Sequence, residues 1–220
     1  MMWWEKHRPF SLDDFVGQEH IVDIARAIID GAPMQNMLFY SPGPGTGKTT
    51  LAQIFAQSLG YNLFTFNASS KRTRGIEFVE EDIIPIARSG YWESIVLLDE
   101  ADRLTIQAQD ALKGVIENAT CYFILTCNDL SLVRPWLQSR CNVLTFNSHT
   151  QDDITNTLEA IAQKEGVCAT RLELQQIAIS HKGDMRNAIG ALQAFACLEN
   201  DDERRRFLNR MRPTFNARAF

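Results

Sequence analysis

The sequence predicts an α/β protein, a parallel sheet covered by helices on both faces with a small all-helical domain after it. Three observations predict it. Up to about residue 150, short apolar runs of strand length alternate with segments long enough to hold crossover helices. A glycine-rich stretch, Gly43-Pro44-Gly45-Thr46-Gly47-Lys48-Thr49, lies where the first such run hands over to a helical pattern. Beyond residue 150 the strand signals stop.

Taken in order, Ile21, Ile24, Ala25, Ile28 and Ile29 recur at helical spacing, and Gly31 follows where that helix would end. Met37 to Tyr40 reads as the first strand. After the glycine loop, Leu51, Ile54, Phe55 and Leu59 mark one face of a helix stopped by Gly60. Further strands are expected at Asn62 to Phe66, Ile95 to Leu98, Tyr122 to Cys127 and Val143 to Phe146, five in all. Asp153 to Lys164, Arg171 to Ser180 and Asp184 to Leu198 read as helices, divided near Gly166 and Gly183. The organisation is therefore a nucleotide-binding domain over 1–150, a helical lid over 151–200, and an Arg-rich tail over 201–220 that reads as mobile or only partly helical.

Composition narrows the function classes. The chain has 220 residues, 22 Lys and Arg against 27 Asp and Glu, a net charge of -5, and 45% apolar residues. These values belong to a globular chain and exclude disordered or fibrous classes. No apolar run reaches the roughly 18 residues that a membrane span needs, and Glu5, Lys6 and Arg8 place charge at once near the start, so neither a signal peptide nor a membrane partner is expected. Five cysteines without a Cys-x-x-Cys pair read as small buried hydrophobes in a reducing compartment rather than disulfides or a zinc site. The acidic balance excludes a uniformly basic coat, although Arg204, Arg205, Arg206, Arg210, Arg212 and Arg218 form one local basic block.

The glycine stretch has the chemistry of a phosphate loop. Glycines let backbone N–H groups turn toward an anion, the following helix N-terminus adds positive potential, and Lys48 can reach the terminal phosphates. Pro44, Gly45, Thr46, Gly47, Lys48, Thr49 and Thr50 are the candidate nucleotide contacts, with the Thr49 hydroxyl placed to hold Mg²⁺. Pro42 occupies the position where the usual pattern has its first glycine. Ile95-Val96-Leu97-Leu98-Asp99-Glu100 is a buried-strand run ending in two acids. Beside a phosphate loop, Asp99 can bind Mg²⁺ through its water shell and Glu100 can orient and deprotonate an attacking water. The pair points to ATP hydrolysis.

The order of motifs resembles the clamp-loader branch of the AAA+ ATPases, in particular the small subunits of replication factor C and their T-even bacteriophage equivalents. The match runs through Trp4-Glu5-Lys6-His7-Arg8-Pro9, Leu12-Asp13-Asp14-Phe15-Val16-Gly17-Gln18, the phosphate loop, Asp99-Glu100-Ala101-Asp102, Thr126-Cys127-Asn128, Ser139-Arg140-Cys141 and Gly183-Asp184-Met185-Arg186-Asn187. The resemblance implies a RecA-like AAA+ P-loop sheet and lid, with ATP and Mg²⁺ as cofactors. It implies that Arg8, Pro9, Val16 and Gly17 pack round the adenine, that Asn128 is the sensor 1 contact to the γ-phosphate or lytic water, and that Arg186 is the sensor 2 contact from the lid. Arg140 would act in trans, entering a neighbour's site as an arginine finger.

The implied partners are other clamp-loader subunits in a ring or arc, a sliding clamp and primer-template DNA, at the cytoplasmic or nuclear site of replication. Lys71, Arg72, Arg74, Arg103 and Thr105 match the segments that track DNA phosphates in the family, while Ile76, Phe78 and Val79 match those pressed into a clamp. Two departures stand out. Ala111-Leu112-Lys113-Gly114 replaces a common Ala-Leu-Arg-Arg and puts a costly glycine in a helix, and the helical collar domain of such subunits is expected to be missing. A branch-migration motor, sharing the Leu-Asp-Asp-Phe-Val-Gly-Gln type of opening, and a non-catalytic ATP-binding scaffold are the alternative functions.

Overall fold

The computed structural model describes residues 1–90 and 92–211. Arg212, Pro213 and Arg218 of the expected tail lie outside the described residues. Five parallel strands, β1 (Met37–Tyr40), β2 (Asn62–Asn67), β3 (Ser94–Asp99), β4 (Tyr122–Cys127) and β5 (Asn142–Thr145), form one sheet in the order β2-β3-β4-β1-β5. The helices are α1 (Trp3–Lys6), α2 (Glu19–Ile29), α3 (Lys48–Leu59), α4 (Ile76–Phe78), α5 (Ile84–Arg88), α6 (Ile106–Asn118), α7 (Pro135–Gln138), α8 (Gln151–Glu165), α9 (Arg171–His181), α10 (Met185–Ala196) and α11 (Asp201–Met211). None is long and apolar enough to cross a membrane among the described residues.

Contacts divide the chain into two units. One holds Pro9–Pro42 and Gly47–Asn147; the other holds Met1–Arg8, Gly43–Thr46 and the described residues from Ser148 on. In the sheet unit, side chains alternate between the two faces because successive residues of a strand point opposite ways. Leu38, Val96, Leu98, Phe123 and Leu125 join Phe78, Val79, Ile83, Leu112 and Val115 in one core. Met37, Phe39, Ile95, Leu97 and Ile124 join Ile21, Ala25, Leu51 and Phe55 in the other. Both faces are thus closed, as a parallel sheet requires.

Several local features needed the structure. Val79–Ile83 is a single π-helical turn between α4 and α5, and it rotates Val79 and Ile83 into full burial. Gly114 does not interrupt α6, since Leu112, Val115 and Ile116 anchor that helix on either side of it. Of the cysteines, Cys121 and Cys127 are buried and Cys141 half-buried, but Cys168 and Cys197 are exposed, unlike the uniformly buried set the sequence suggests.

The helical unit is defined by its caps. Thr150 and Asp153 form a capping box at the start of α8, and Thr170 and Glu173 form another at α9; each such cap is worth about 1 kcal/mol. Gly166, at φ 69°, closes α8 in the left-handed conformation that glycine tolerates. Asp184 caps α10 by accepting from the Asn187 amide at 3.0 Å. Of the expected tail, mobile or only partly helical, Asp201–Met211 is a helix, α11. Asp201, Asp202 and Glu203 sit at its positive end and Arg210 at its negative end, while Leu208 is buried and Phe207 tilts against Phe195.

His149, just before α8, has its Nδ1 shut off from solvent without a hydrogen-bond partner. Burial pushes its pKa below the ordinary value of 6.5, against opposing pulls from Asp153, the Gly45 backbone and Asp184. The unfolded chain therefore binds this proton at a higher pH than the folded one. Stability should fall as pH drops from about 6.5 toward the lowered folded value, then level off below it. Chemical denaturation at several pH values should show a shallower decline in His149→Gln than in the parent.

Candidate nucleotide site

β3, β4 and β1 are neighbours in the sheet, so their carboxyl ends emerge side by side, where open parallel sheets bind ligands. Lys48, the first residue of α3, is buried at 8% exposure. Its ammonium donates to Ser41 Oγ at 2.6 Å, just past β1, and to Asn128 Oδ1 at 2.9 Å, just past β4. A buried ammonium needs such partners to offset lost hydration. Thr49 Oγ1 lies 3.1 Å from both carboxylate oxygens of Asp99 at the end of β3. Thus Lys48, Thr49, Asp99 and Asn128, widely separated in sequence, form one constellation. Thr50 is half-buried in the same first turn of α3.

The acid loop is tied to β4. Glu100 is half-buried and left-handed, with φ 58°, and its amide donates to Thr126 Oγ1 at 3.0 Å. Asp102 is 8% exposed; its Oδ2 accepts from the Asn128 amide at 3.4 Å, whereas its Oδ1 has no hydrogen-bond partner. Cys127, between Thr126 and Asn128, has its thiol pushed up to about 12, chiefly by burial and secondarily by the Asp102 charge.

Phe15 and Thr126 stand in motifs that the sequence marks without assigning either a contact of its own, and Ser41 stands in none. Phe15 lies within the Leu12–Gln18 motif, but nothing in that spacing says that its ring meets the phosphate loop. Gly47 adopts φ 98°, and a Cβ there would lie 2.5 Å from Phe15 Cζ, so both backbone and space demand glycine. Gln18 explains the Gly17-Gln18 pair. Gly17 (φ 69°) and Gln18 (φ 63°) are consecutive left-handed residues, and the buried Gln18 amide exchanges hydrogen bonds with the Asn147 backbone at 2.5 and 2.8 Å. Val16 is exposed at 36% and Pro9 half-buried.

In the helical unit, Gly45 (φ 72°) lies against the α10 cap: a Cβ there would approach Asp184 Cγ to 2.8 Å. Pro44 is exposed and Thr46 buried. Arg8 pairs with Glu5 at 2.6 Å, and Arg186 is exposed in the first turn of α10.

The remaining candidates lie in the sheet unit. Arg140 is held within its own chain: Nε donates to Glu117 Oε1 at 2.8 Å, Nη2 also pairs with Glu117, Nη1 donates to the Trp136 carbonyl at 3.1 Å, and the guanidinium lies over the Trp136 ring. Lys71, Arg72, Arg74 and Arg103 are exposed on loops joined by a 2.8 Å bond from the Thr105 amide to the Arg74 carbonyl. The Thr105 side chain, however, caps α6 by accepting from the Ala108 amide. Phe78 and Val79 do not present the surface that a clamp contact requires: at 2% and 0% exposure they are core residues, and only Ile76 of that trio is half-exposed.

Residues 37–148 match the model for the ATPase family associated with various cellular activities, AAA, which is half of the chain. The chain belongs to this AAA family. Among curated relatives, the AAA chain is 38% identical over 207 residues to the replication factor C small subunits of Aeropyrum pernix and Staphylothermus marinus, covering 90% of this chain and 63% of each relative. The Archaeoglobus fulgidus replication factor C small subunit is 36% identical over 208 residues, covering 90% of this chain and 64% of that one. The chain thus spans somewhat less than two thirds of the relatives' length. A solved structure of the Thermotoga maritima RuvB Holliday junction branch migration motor superposes with a TM-score of 0.75 at 23% identity, covering 92% of this chain and 72% of that one. At that identity the likeness extends to the fold.

Gly47→Ala forces a left-handed backbone on an L-residue and collides with Phe15. It should cost about 1–3 kcal/mol of stability, read by denaturant melting, and displace the Lys48 amide at the start of α3 enough to weaken nucleotide binding.

Proposed function

We propose that this chain is an ATP-hydrolysing subunit of a sliding-clamp loader, acting with sister subunits on a polymerase clamp and primer-template DNA at the cytoplasmic or nuclear site of replication. The observation that carries the reading is the joining of Lys48, Thr49, Asp99 and Asn128 at the ends of three adjacent strands, in a chain whose relatives over 90% of its length are replication factor C small subunits.

The donor set suits Mg²⁺. Asp99 and Thr49 offer one carboxylate and one hydroxyl within 3.1 Å of each other, and no group of three or more His, Cys, Asp or Glu side chains competes for a cation among the described residues. Mg²⁺ keeps much of its water and takes phosphate oxygens, so two protein oxygens are enough. When bound, it would neutralise charge developing on the phosphates.

Each side chain has a role in this reading. Lys48 exchanges its Ser41 and Asn128 bonds for phosphate oxygens at little reorganisation, since its ammonium is already desolvated and directed. Glu100 serves as the base for water, with Asn128 positioning that water or the γ-phosphate. Arg140 is the group a neighbour would receive. Lifting it from Glu117 breaks a partly exposed ion pair, which costs no more than about 1 kcal/mol. Arg186 as sensor 2, Arg8, Pro9, Val16 and Gly17 around the adenine, the DNA contacts of the Lys71 and Arg103 loops and a clamp contact at Ile76 rest on the family resemblance.

Nucleotide-binding titrations should find Lys48→Ala without measurable ATP affinity and Glu100→Gln with near-parental affinity but turnover reduced by about a hundredfold or more. Retained turnover in Glu100→Gln would remove it as the base. Arg140→Ala should bind ATP like the parent yet show no stimulation of hydrolysis by DNA and sister subunits in a steady-state assay. Parental stimulation in that variant would end the trans role.

A further inference from the structure

Thr126 is a hydroxyl in a run that is otherwise apolar and buried: Phe123, Ile124, Leu125 and Cys127 surround it in β4, and it is 1% exposed itself. A buried hydroxyl is tolerated when both its donor and its acceptor capacity are met. Here the partners are the two acids of the site. Thr126 Oγ1 donates its single proton to Asp99 Oδ1 at 2.5 Å and accepts from the Glu100 amide at 3.0 Å. The direction of both bonds is fixed, since the amide can only donate.

The position in the sheet explains the contact. Paired residues of β3 and β4 end at Leu98 and Leu125, so Asp99 and Thr126 are the next residues on each strand. Past that point the Thr126 side chain takes over as the acceptor that continues the pairing. The amide it meets belongs to Glu100, which is left-handed, a conformation that L-residues avoid unless their surroundings impose it.

We propose that Thr126 is a positioning residue, whose hydroxyl fixes the Asp99 carboxylate and the left-handed backbone of Glu100 as one unit for metal binding and water activation. The proposal rests on the reading of the site as an ATPase centre. It adds a coupling: the group that holds the cation and the group that activates water are aligned by the same oxygen.

Thr126→Val keeps the shape and removes both bonds, while Thr126→Ser keeps the hydroxyl. In the nucleotide-free protein, residue-resolved hydrogen exchange should show the Glu100 amide of Thr126→Val exchanging about tenfold faster, with Leu97 and Leu98 unchanged and Thr126→Ser close to the parent. In steady-state ATP hydrolysis, the Mg²⁺ concentration for half-maximal rate should rise about fivefold or more in Thr126→Val and kcat fall about tenfold. ATP affinity without Mg²⁺ should stay within about twofold, and Thr126→Ser should recover most of both losses. A Thr126→Val protein that matches the parent in Mg²⁺ dependence and kcat overturns the proposal, whatever its melting temperature. So does unchanged Glu100 exchange. If Thr126→Val does not fold, Thr126→Ser decides: a serine that loses Mg²⁺ affinity and turnover like a hydroxyl-free site overturns the proposal, and one that retains them supports it. A parent protein that never hydrolyses ATP, alone or with candidate sister subunits, overturns the ATPase reading and this proposal together, which separates that failure from the others.

Discussion

The buried ammonium of Lys48 is the constraint around which the site is arranged. A positive charge at 8% exposure is sustained only by oriented oxygen atoms, and these come from Ser41 after β1 and Asn128 after β4. The lysine can reach both because Gly47 takes a left-handed turn immediately before α3 and because β1 and β4 are direct neighbours. One side chain thereby ties a strand end, a helix start and a second strand end. Asn128 is held from two directions, by Lys48 through its side chain and by Asp102 through its backbone.

A second set of ties joins β4 to the acid loop, and it differs in kind. Thr49 and Thr126 both donate their hydroxyl protons to the Asp99 carboxylate, so here the charge at the centre is negative. The two charged centres thus divide the work: the lysine fixes where a phosphate would be met, and the hydroxyls fix the carboxylate. Arg140 contrasts with both. It is partly exposed and held by a carboxylate and a ring on its own surface, so its geometry is the more easily exchanged.

Most of the fold is legible in the sequence because the signals are periodic. Ile21, Ala25 and Ile28 at helical spacing, and the uninterrupted apolar run from Ile95 to Leu98, give α2 and β3 within a residue or two of their ends. The chemistry of Lys48, Thr49, Asp99 and Asn128 is legible for another reason: phosphate binding demands those residue types at strand ends. Features with no period are less legible. The helix Asp201–Met211 carries few apolar residues and is organised by charge at its two ends and by Phe207 and Leu208 on one side. Phe78 and Val79 share helical spacing with a surface stripe, and only the π-turn after them reveals that they point inward. Phe15 and Glu117 act through contacts across long sequence gaps, which a single sequence does not encode locally.

The first eight residues carry a consequence for how this chain can be handled. Trp3 and Trp4 pack onto the apolar cluster of α8 to α11, with Trp4 against the bare backbone at Gly190, Trp3 tied to Gln193, and Lys6 and His7 both meeting Glu165. The helical unit is therefore discontinuous in sequence, and no single excised fragment contains it. A truncation beginning at Ser148 would strip two half-buried indoles from its apolar cluster and bare a greasy patch prone to self-association. On the ribosome, those two indoles emerge well before α8 to α11, and must wait for those helices before their seat exists.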